Sequence, residues 1–252
     1  MAPALDVRHV RRDFGGVAAL HDVTLTVGPG ELVGLIGPNG AGKTTLMNII
    51  SGVYPPSGGE VYFDGEPITR LPADRINHLG IVRTFQIPRP FVGMSVAENV
   101  TTAALFGGPP GRPRRERTGL VDEVLHVTGL AEQADVAAEY LNVAGRKRLE
   151  LARALAMRPR LLLLDEVMAG LGHQEMEVVM RIVSEANGRG ITVVLIEHVM
   201  KAVMSLARRV IVLQEGHVLT DGTPAEIVSN PAVVAAYLGR GVAAGGRRGT
   251  RA

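Results

Sequence analysis

Hydrophobic and polar residues alternate near the start of the chain, whereas three later segments are apolar almost throughout. The alternation over residues 5–10 and 23–27 predicts strands with one buried side and one side in water. The apolar runs at 31–37, 160–166 and 191–198 predict strands covered on both faces, as the strands of parallel sheets are. Since helical patterns separate these runs, the sequence predicts an α/β fold with a mostly parallel sheet.

Helical spacing of apolar residues dominates the middle of the chain. It predicts helices over residues 95–106 and 117–130, joined by a Gly/Pro/Arg-rich stretch at 107–117. We interpret this stretch as a solvated loop, with a specific anion site as the less favoured alternative. The helical block, about residues 88–157, is expected to be an insertion in the α/β domain.

The length and composition fit one large domain with a substantial core. With 252 residues, of which 46% are hydrophobic, we expect a single domain over residues 1–240 and a disordered tail at 241–252. A net charge of +2 provides little electrostatic attraction for nucleic acid, so no nucleic acid partner is expected. The absence of cysteine excludes disulfides and thiolate metal sites. The longest apolar runs are strand-sized, well short of the roughly 20 residues of a transmembrane helix.

A glycine-rich segment separates the first apolar strand from a helix predicted to begin at Gly42. Its sequence, GPNGAGKT at residues 37–44, fits the phosphate-loop pattern G-x-x-x-x-G-K-[ST]. Backbone N–H groups of such a loop converge on an anion, which requires a close approach that a Cβ would block. Lys43 is predicted to reach the β- and γ-phosphates of ATP and Thr44 to ligate Mg²⁺; the alternative is a turn that binds nothing. The predicted nucleotide-binding residues of this loop are Gly37, Pro38, Asn39, Gly40, Ala41, Gly42, Lys43, Thr44 and Thr45.

Acidic and imidazole side chains follow two of the apolar strands. Asp165 and Glu166 come after a run of four leucines, and His198 ends the next apolar strand. Strands of a parallel sheet direct their carboxyl ends toward the ligand crevice, and successive residues point in opposite directions. Asp165 is therefore predicted to hold Mg²⁺, and Glu166 to act as the general base on an attacking water. His198 is predicted to donate a hydrogen bond to the γ-phosphate, against the alternative of a structural histidine.

The order of these motifs resembles that of the ATP-binding subunits of ABC transporters over essentially the whole chain. RDFGG around Phe14 precedes the phosphate loop, RTFQ ending at Gln86 follows it, and LNVAGRKRLELARAL precedes the Asp-Glu strand end. The resemblance implies a P-loop NTPase core with a mostly parallel sheet, an N-terminal antiparallel β subdomain and an inserted α-helical subdomain. It implies that Phe14 stacks on adenine and that Gln86 ligates Mg²⁺ and senses the γ-phosphate. It also implies hydrolysis in a head-to-tail dimer, where each ATP lies between one subunit's phosphate loop and the other's signature.

Several segments are similar to the ATPases of branched-chain amino acid importers in particular. They are GLIGPNGAGKTTLMNIISG, RTFQIPRPF, LLLLDEVMAGL and GTPAEIVSNPAVVAAYLG. This resemblance implies transmembrane permease subunits, a second ATPase subunit in a homo- or heterodimer, a solute-binding protein acting indirectly, and a peripheral location at the cytoplasmic face of the inner membrane. Related subunits serve urea, amides, aromatic acids or lipopolysaccharide export, which stay open as alternatives. A non-transport ABC ATPase acting on ribosomes or DNA, and a module that binds ATP without hydrolysis, are less favoured.

Two segments depart from the family pattern. Aligned without a gap, the family signature Leu-Ser-Gly-Gly-Gln corresponds to LNVAG at residues 141–145; a shift by one residue, which aligns Gly145 with a family glycine, is the alternative. Gly172 stands where the family usually has Asp. Asn142 is predicted to cap the following helix and to offer a side-chain donor to the partner subunit's nucleotide. The family uses both segments on the partner's nucleotide, whereas the residues used in cis are intact. The departures therefore agree equally well with two hypotheses. In the first, the chain forms a heterodimer with one weaker ATP site. In the second, the sequence has merely diverged within its subgroup and both ATP sites are active.

Overall fold

The computed structural model of the protein describes residues 2–107 and 114–242. Its strands are β1 Leu5–Phe14, β2 Val17–Val27, β3 Leu32–Ile36, β4 Gly58–Phe63, β5 Glu66–Pro67, β6 Ile81–Arg83, β7 Leu161–Asp165, β8 Thr192–Ile196, β9 Arg209–Gln214 and β10 His217–Gly222. Within the described residues these strands form a ten-stranded sheet in the order β5-β4-β1-β2-β10-β9-β3-β8-β7-β6. Several strands that follow one another in the sequence are not neighbours in the sheet, so crossover connections that contain helices join them.

Helices lie on both faces of the sheet and in a separate group. They are α1 Lys43–Ile50, α2 Ala73–His78, α3 Val96–Phe106, α4 Arg114–Val127, α5 Val143–Ala156, α6 His173–Gly188, α7 Met200–Leu206, α8 Pro224–Ser229 and α9 Pro231–Val242. Short 3₁₀ turns at Ala131–Gln133 and Ala138–Tyr140 connect α4 to α5. No helix in the described part of the chain is both long enough and apolar enough to cross a membrane.

The parallel half of the sheet contains the continuously apolar strands. β9, β3, β8, β7 and β6 run parallel to one another, and every residue of β3, β7 and β8 is buried. Leu161 and Leu163 pack into the core that includes α1, whereas Leu162 and Leu164 pack into the core that includes α6. Because successive side chains face opposite sides of a sheet, two-sided cover requires apolar residues at every position. The expected parallel sheet is thereby confirmed.

The antiparallel half of the sheet is formed by β1, β2, β4 and β5. It joins the parallel half where His217 of β10 pairs with Asp22 of β2. The turn between β4 and β5 is made by Asp64 and Gly65, both with positive φ, as the Asp-Gly dipeptide predicts. The predicted N-terminal antiparallel subdomain is therefore present.

The helices α3, α4 and α5 bury their apolar faces mainly against one another. Their shared core is distinct from the two cores of the sheet and includes Val100, Val124 and Leu149. Ser95 caps α3 in a capping box with Glu98, which explains why the helix begins where the apolar spacing predicts. These helices form the inserted helical subdomain.

Several elements differ from the sequence-based expectations, either in a boundary or in not having been predicted. Helix α4 begins at Arg114, so residues 114–117 of the predicted loop are helical, because Arg and Glu are good helix formers; residues 108–113 lie outside the described residues. Helix α9 extends to Val242, so the first two residues of the predicted tail are helical, and residues 243–252 lie outside the description. The short elements α2 and β6 were not predicted, because they span too few residues to show a period.

Candidate active site

A cleft of about 700 Å³ opens at the carboxyl end of the parallel strands. The residues that line it are Phe14, Ala19, Asn39, Gly40, Ala41, Gly42, Lys43, Thr44, Thr45, Gln86, Glu166 and His198. They come from segments far apart in the chain and include most of the site residues that the sequence predicts. A cleft outside the carboxyl ends of parallel strands is the usual ligand position in such sheets.

The phosphate loop lies so close to the neighbouring backbone that two of its glycines cannot be replaced without movement. A Cβ on Gly37 would lie 2.1 Å from the carbonyl oxygen of Leu213, and one on Gly42 would lie 2.8 Å from that of Ala19. Both glycines have positive φ, which other residues rarely adopt. Helix α1 begins directly after Gly42, so its unpaired N–H groups and the loop N–H groups face the same cleft.

The Lys43 ammonium binds two carbonyl oxygens on the inner side of the phosphate loop. Its Nζ donates to the carbonyl oxygens of Gly37 at 2.7 Å and Pro38 at 3.0 Å. Burial lowers the pKa of Lys43, while the carboxylates of Glu166 and Asp165 act in the opposite direction. A buried cation aimed into a glycine-rich cradle is suited to binding phosphate oxygens.

The predicted catalytic residues Glu166, Gln86 and His198 meet at one carboxylate. Gln86 Nε2 donates to Glu166 Oε2 at 2.5 Å, and His198 Nε2 lies 2.7 Å from Glu166 Oε1. Glu166 follows β7 directly and has φ +52°, so the chain turns sharply and presents the side chain to the cleft. Each oxygen of this carboxylate thus has a partner that fixes its direction, as a general base requires.

Asp165 lies behind the cleft wall rather than on it. The side chain is buried, and its Oδ2 accepts a hydrogen bond from Arg83 Nη2 at 2.8 Å. Arg83 Nη1 also donates to Asn48 Oδ1 of helix α1 at 2.6 Å. Asp165 is thereby tied to the phosphate-loop helix, and its assignment to Mg²⁺ stays a prediction. Arg83 was not singled out from the sequence, although it ends a strand three residues before Gln86.

The donor atoms near the phosphate loop suit Mg²⁺. Among residues 2–107 and 114–242, no group of three or more His, Cys, Asp or Glu side chains forms a ready metal site. The Thr44 hydroxyl, the Gln86 amide oxygen and the Asp165 carboxylate are oxygen donors, which Mg²⁺ prefers together with substrate phosphates and water. These side chains therefore fit a metal that binds with the nucleotide rather than before it.

Phe14 is held by an aromatic and cationic cluster at the edge of the cleft. Its ring meets Tyr54 edge-on at 5.4 Å between centroids, and the Arg12 guanidinium lies 4.6 Å from the Phe14 centroid. Arg12 also donates to the Pro55 carbonyl oxygen at 2.8 Å. The ring is 42% exposed and lines the cleft, so it offers a fixed surface on which a base can stack.

Phe14→Ala is expected to weaken ATP binding about tenfold, because stacking of a base on an aromatic ring contributes about 1–3 kcal/mol. Titration with a fluorescent ATP analogue measures the effect, and Phe14→Trp should restore affinity. Phe106→Ala is the matched control, since Phe106 is exposed but does not line the cleft. Equal ATP affinity of the Phe14→Ala and Phe106→Ala variants would contradict the stacking role.

Asn142 occupies the helix position predicted for it but lies away from this cleft. Its Oδ1 accepts from the Gly145 N–H at 2.7 Å, so it caps α5 as predicted. It lines a smaller pocket between α5 and α6. Asn142 therefore does not contact the nucleotide cleft of its own chain, and its contact with a partner's nucleotide stays a prediction. Gly172 caps α6 without a side chain, and its N–H donates to Glu175 Oε2 at 2.9 Å.

Known proteins are similar to this chain in sequence. The family described as ABC transporter matches residues 20–169, and the family described as branched-chain amino acid ATP-binding cassette transporter matches residues 217–243. The chain is 40% identical over 250 residues to BraF of Pseudomonas aeruginosa, a high-affinity branched-chain amino acid transport ATP-binding protein, covering 94% of this chain and 98% of that one. It is 35% identical over 241 residues to the lipopolysaccharide export ATP-binding protein LptB of Acidithiobacillus ferridurans, covering 95% and 98%.

A solved structure gives the same result for the fold. The ADP conformation of MJ1267, an ATP-binding cassette of an ABC transporter, matches with a TM-score of 0.85 and 30% identity over 95% of this chain and 100% of that one. The expected P-loop core with its antiparallel and helical subdomains is therefore confirmed. The chain belongs to the ATP-binding subunits of ABC transporters, which are ATPases coupled to transport.

Proposed function

We propose that this chain is the ATP-hydrolysing motor of an importer for branched-chain or related amino acids. The observation that carries the hydrolytic role is the meeting of Gln86 and His198 on the two oxygens of Glu166 beside the phosphate loop. The amino acid substrate class is supported by the similarity to BraF and by the family match at residues 217–243. The solute itself is selected by other subunits, so no residue of this cleft contacts or recognises it.

The chemistry divides among the cleft residues by position and charge. The phosphate-loop N–H groups and Lys43 hold the β- and γ-phosphates, and Phe14 holds the adenine. Thr44, Gln86 and Asp165 would hold Mg²⁺, which would neutralise charge on the phosphates. Glu166 orients the attacking water and accepts its proton, while His198 donates to the γ-phosphate. Phosphoryl transfer has a loose transition state, so this positioning and charge stabilisation account for most of the catalysis.

The place of the signature supports a dimer of ATPase subunits. Asn142 and the start of α5 lie outside the chain's own cleft, so they serve a nucleotide only if that nucleotide is bound to another chain. The helix start and its Asn142 donor then meet the γ-phosphate of the partner's ATP. A heterodimer with one weaker site agrees with the altered signature and with Gly172, and a homodimer with two active sites is the alternative.

The surface around Gln86 suits contact with a membrane permease at the cytoplasmic face. Phe85 and Ile87 flank Gln86 in the chain, and Phe91 and Val92 follow shortly after; all four side chains are exposed. Exposed apolar side chains that cluster in this way mark protein interaction sites. A movement of Gln86 on ATP binding or hydrolysis is therefore transmitted directly to the surface that a permease covers.

Uptake by living cells tests the substrate class. In a bacterium that lacks its own branched-chain amino acid ATPases, this chain with its permease and binding-protein subunits is expected to restore uptake of radiolabelled leucine. Lys43→Ala is the control, and it should abolish uptake because the phosphates lose their cationic partner. Failure with leucine, together with rescue of lipopolysaccharide export in cells depleted of LptB, would replace the importer by the export alternative.

A further inference from the structure

The Lys147 ammonium is buried inside the protein and contacts the main chain of the candidate general base. Lys147 lies in helix α5 and is only 7% exposed. Its Nζ donates to the carbonyl oxygen of Glu166 at 2.9 Å. Burial lowers the pKa of Lys147, and the carboxylates of Glu197, Glu150 and Glu166 act against that shift. A buried ammonium is costly, so a lysine at this position requires a specific partner.

The turn that carries Glu166 is held at several backbone atoms. The Glu166 N–H donates to the Ile196 carbonyl oxygen at 2.9 Å, and the Met168 N–H donates to Glu197 Oε1 at 2.7 Å. The Glu166 carbonyl oxygen accepts from the Ala169 N–H at 3.3 Å and from Lys147. A non-glycine residue with positive φ costs about 1–3 kcal/mol and persists only where its surroundings fix it. Lys147 is one of the groups that fix it.

The same face of α5 also reaches the segment of Gln86. Glu150 lies one helical turn after Lys147, and its Oε1 accepts from the Phe85 N–H at 2.5 Å. One helix therefore holds the backbone next to Gln86 and the backbone of Glu166. The side chains of Gln86 and Glu166 form the 2.5 Å hydrogen bond at the centre of the site. Lys147 and Glu150 thus each hold one of the two catalytic segments by its backbone.

We propose that Lys147 is a positioning residue for hydrolysis, which fixes the backbone of Glu166 so that its carboxylate meets the attacking water. The inference rests on the proposed function, in which Glu166 is the general base. Because α5 begins at the signature, a shift of this helix on contact with the partner's ATP also moves the base of its own chain. Lys147 thus links the segment that acts on the partner's nucleotide to the base that acts on the chain's own.

Steady-state ATPase kinetics of purified Lys147→Met and Lys147→Arg test the proposal. Lys147→Met keeps the length of the side chain but loses the donor, so kcat should fall about ten- to a hundredfold, as misplacement of a catalytic group by about 1 Å does. KM and the Kd for a fluorescent ATP analogue should change less than about twofold, because the phosphate loop is untouched. Lys147→Arg retains a donor and should recover most of kcat. Arg181→Met is the matched control, because Arg181 is an exposed cationic side chain in helix α6 that does not line the cleft.

A purely structural role of Lys147 gives a different result. Leu149→Ala removes buried packing from the same helix and should lower the melting temperature without a specific loss of kcat per folded molecule. If Lys147→Met behaves in the same way, or keeps the wild-type kcat, the positioning role is overturned. If Lys147→Arg fails to recover kcat while remaining folded, the donor argument is overturned as well. Wild-type turnover by Glu166→Gln would instead overturn the base assignment of the proposed function.

Discussion

Glu166→Gln is expected to lower the ATPase kcat by about a hundredfold to ten-thousandfold, the usual contribution of a positioned general base. Glutamine has nearly the same shape but no basic carboxylate, so the attacking water keeps its place and loses its proton acceptor. Gln86 and His198 lie against the oxygens that the substitution alters, and the phosphate loop is unaffected. ATP affinity should therefore remain close to that of the wild type.

Release of phosphate and binding of a fluorescent ATP analogue, measured on the same preparation, separate these two effects. Glu132→Gln is a suitable control, because Glu132 is an exposed glutamate in a 3₁₀ turn away from the cleft. Light scattering of the ATP-loaded Glu166→Gln variant should also detect a dimer, since hydrolysis no longer reopens it. Turnover near the wild-type rate would remove Glu166 from the mechanism, and a monomer at every ATP concentration would argue against the nucleotide-sandwich dimer.

Local patterns were sufficient to predict the phosphate loop and the ends of the buried strands. The loop fits its pattern within eight consecutive residues, GPNGAGKT, and its neighbours are a strand and a helix, as the pattern requires. The placement of Asp165, Glu166 and His198 at the ends of buried strands could be predicted because apolar runs of strand length precede them, whereas their roles stay predictions. In each case the information lies within a few residues of the chain.

The supporting contacts of the site could not be predicted, because they join distant segments. Arg83 and Asp165 are 82 positions apart, and Lys147 reaches Glu166 only because α5 packs beside β7. An arginine at a strand end and a lysine in a helix are ordinary exposed residues in most sequences. Only the fold reveals that these two are buried. The contacts of Arg12, beside Phe14, could not be predicted for the same reason, since its partners Tyr54 and Pro55 lie in the distant loop after α1.

The buried ion pair of Arg83 and Asp165 has the second large predicted effect. Both side chains are at most 5% exposed, and Nη2 of Arg83 lies 2.8 Å from Oδ2 of Asp165. Removing one partner of a buried pair leaves the other charge without compensation, which costs about 3–5 kcal/mol of stability. Arg83→Met should therefore lower the free energy of unfolding in urea by about this amount. The loss should exceed that at the surface ion pair Arg8–Asp6, where water screens the attraction, and this pair serves as the control.

A double variant shows whether the effect belongs to the pair or to packing. When Asp165→Asn is combined with Arg83→Met, the uncompensated charge disappears, so the two losses should sum to more than the loss of the double variant. Simple additivity would mean that Arg83 acts only by filling space. The pair also ties β7 to α1 through Asn48, so Arg83→Met should loosen Asp165 relative to the phosphate loop. If Asp165 holds Mg²⁺, the gain in ADP affinity that Mg²⁺ provides should shrink in this variant, while ADP affinity without Mg²⁺ stays the same.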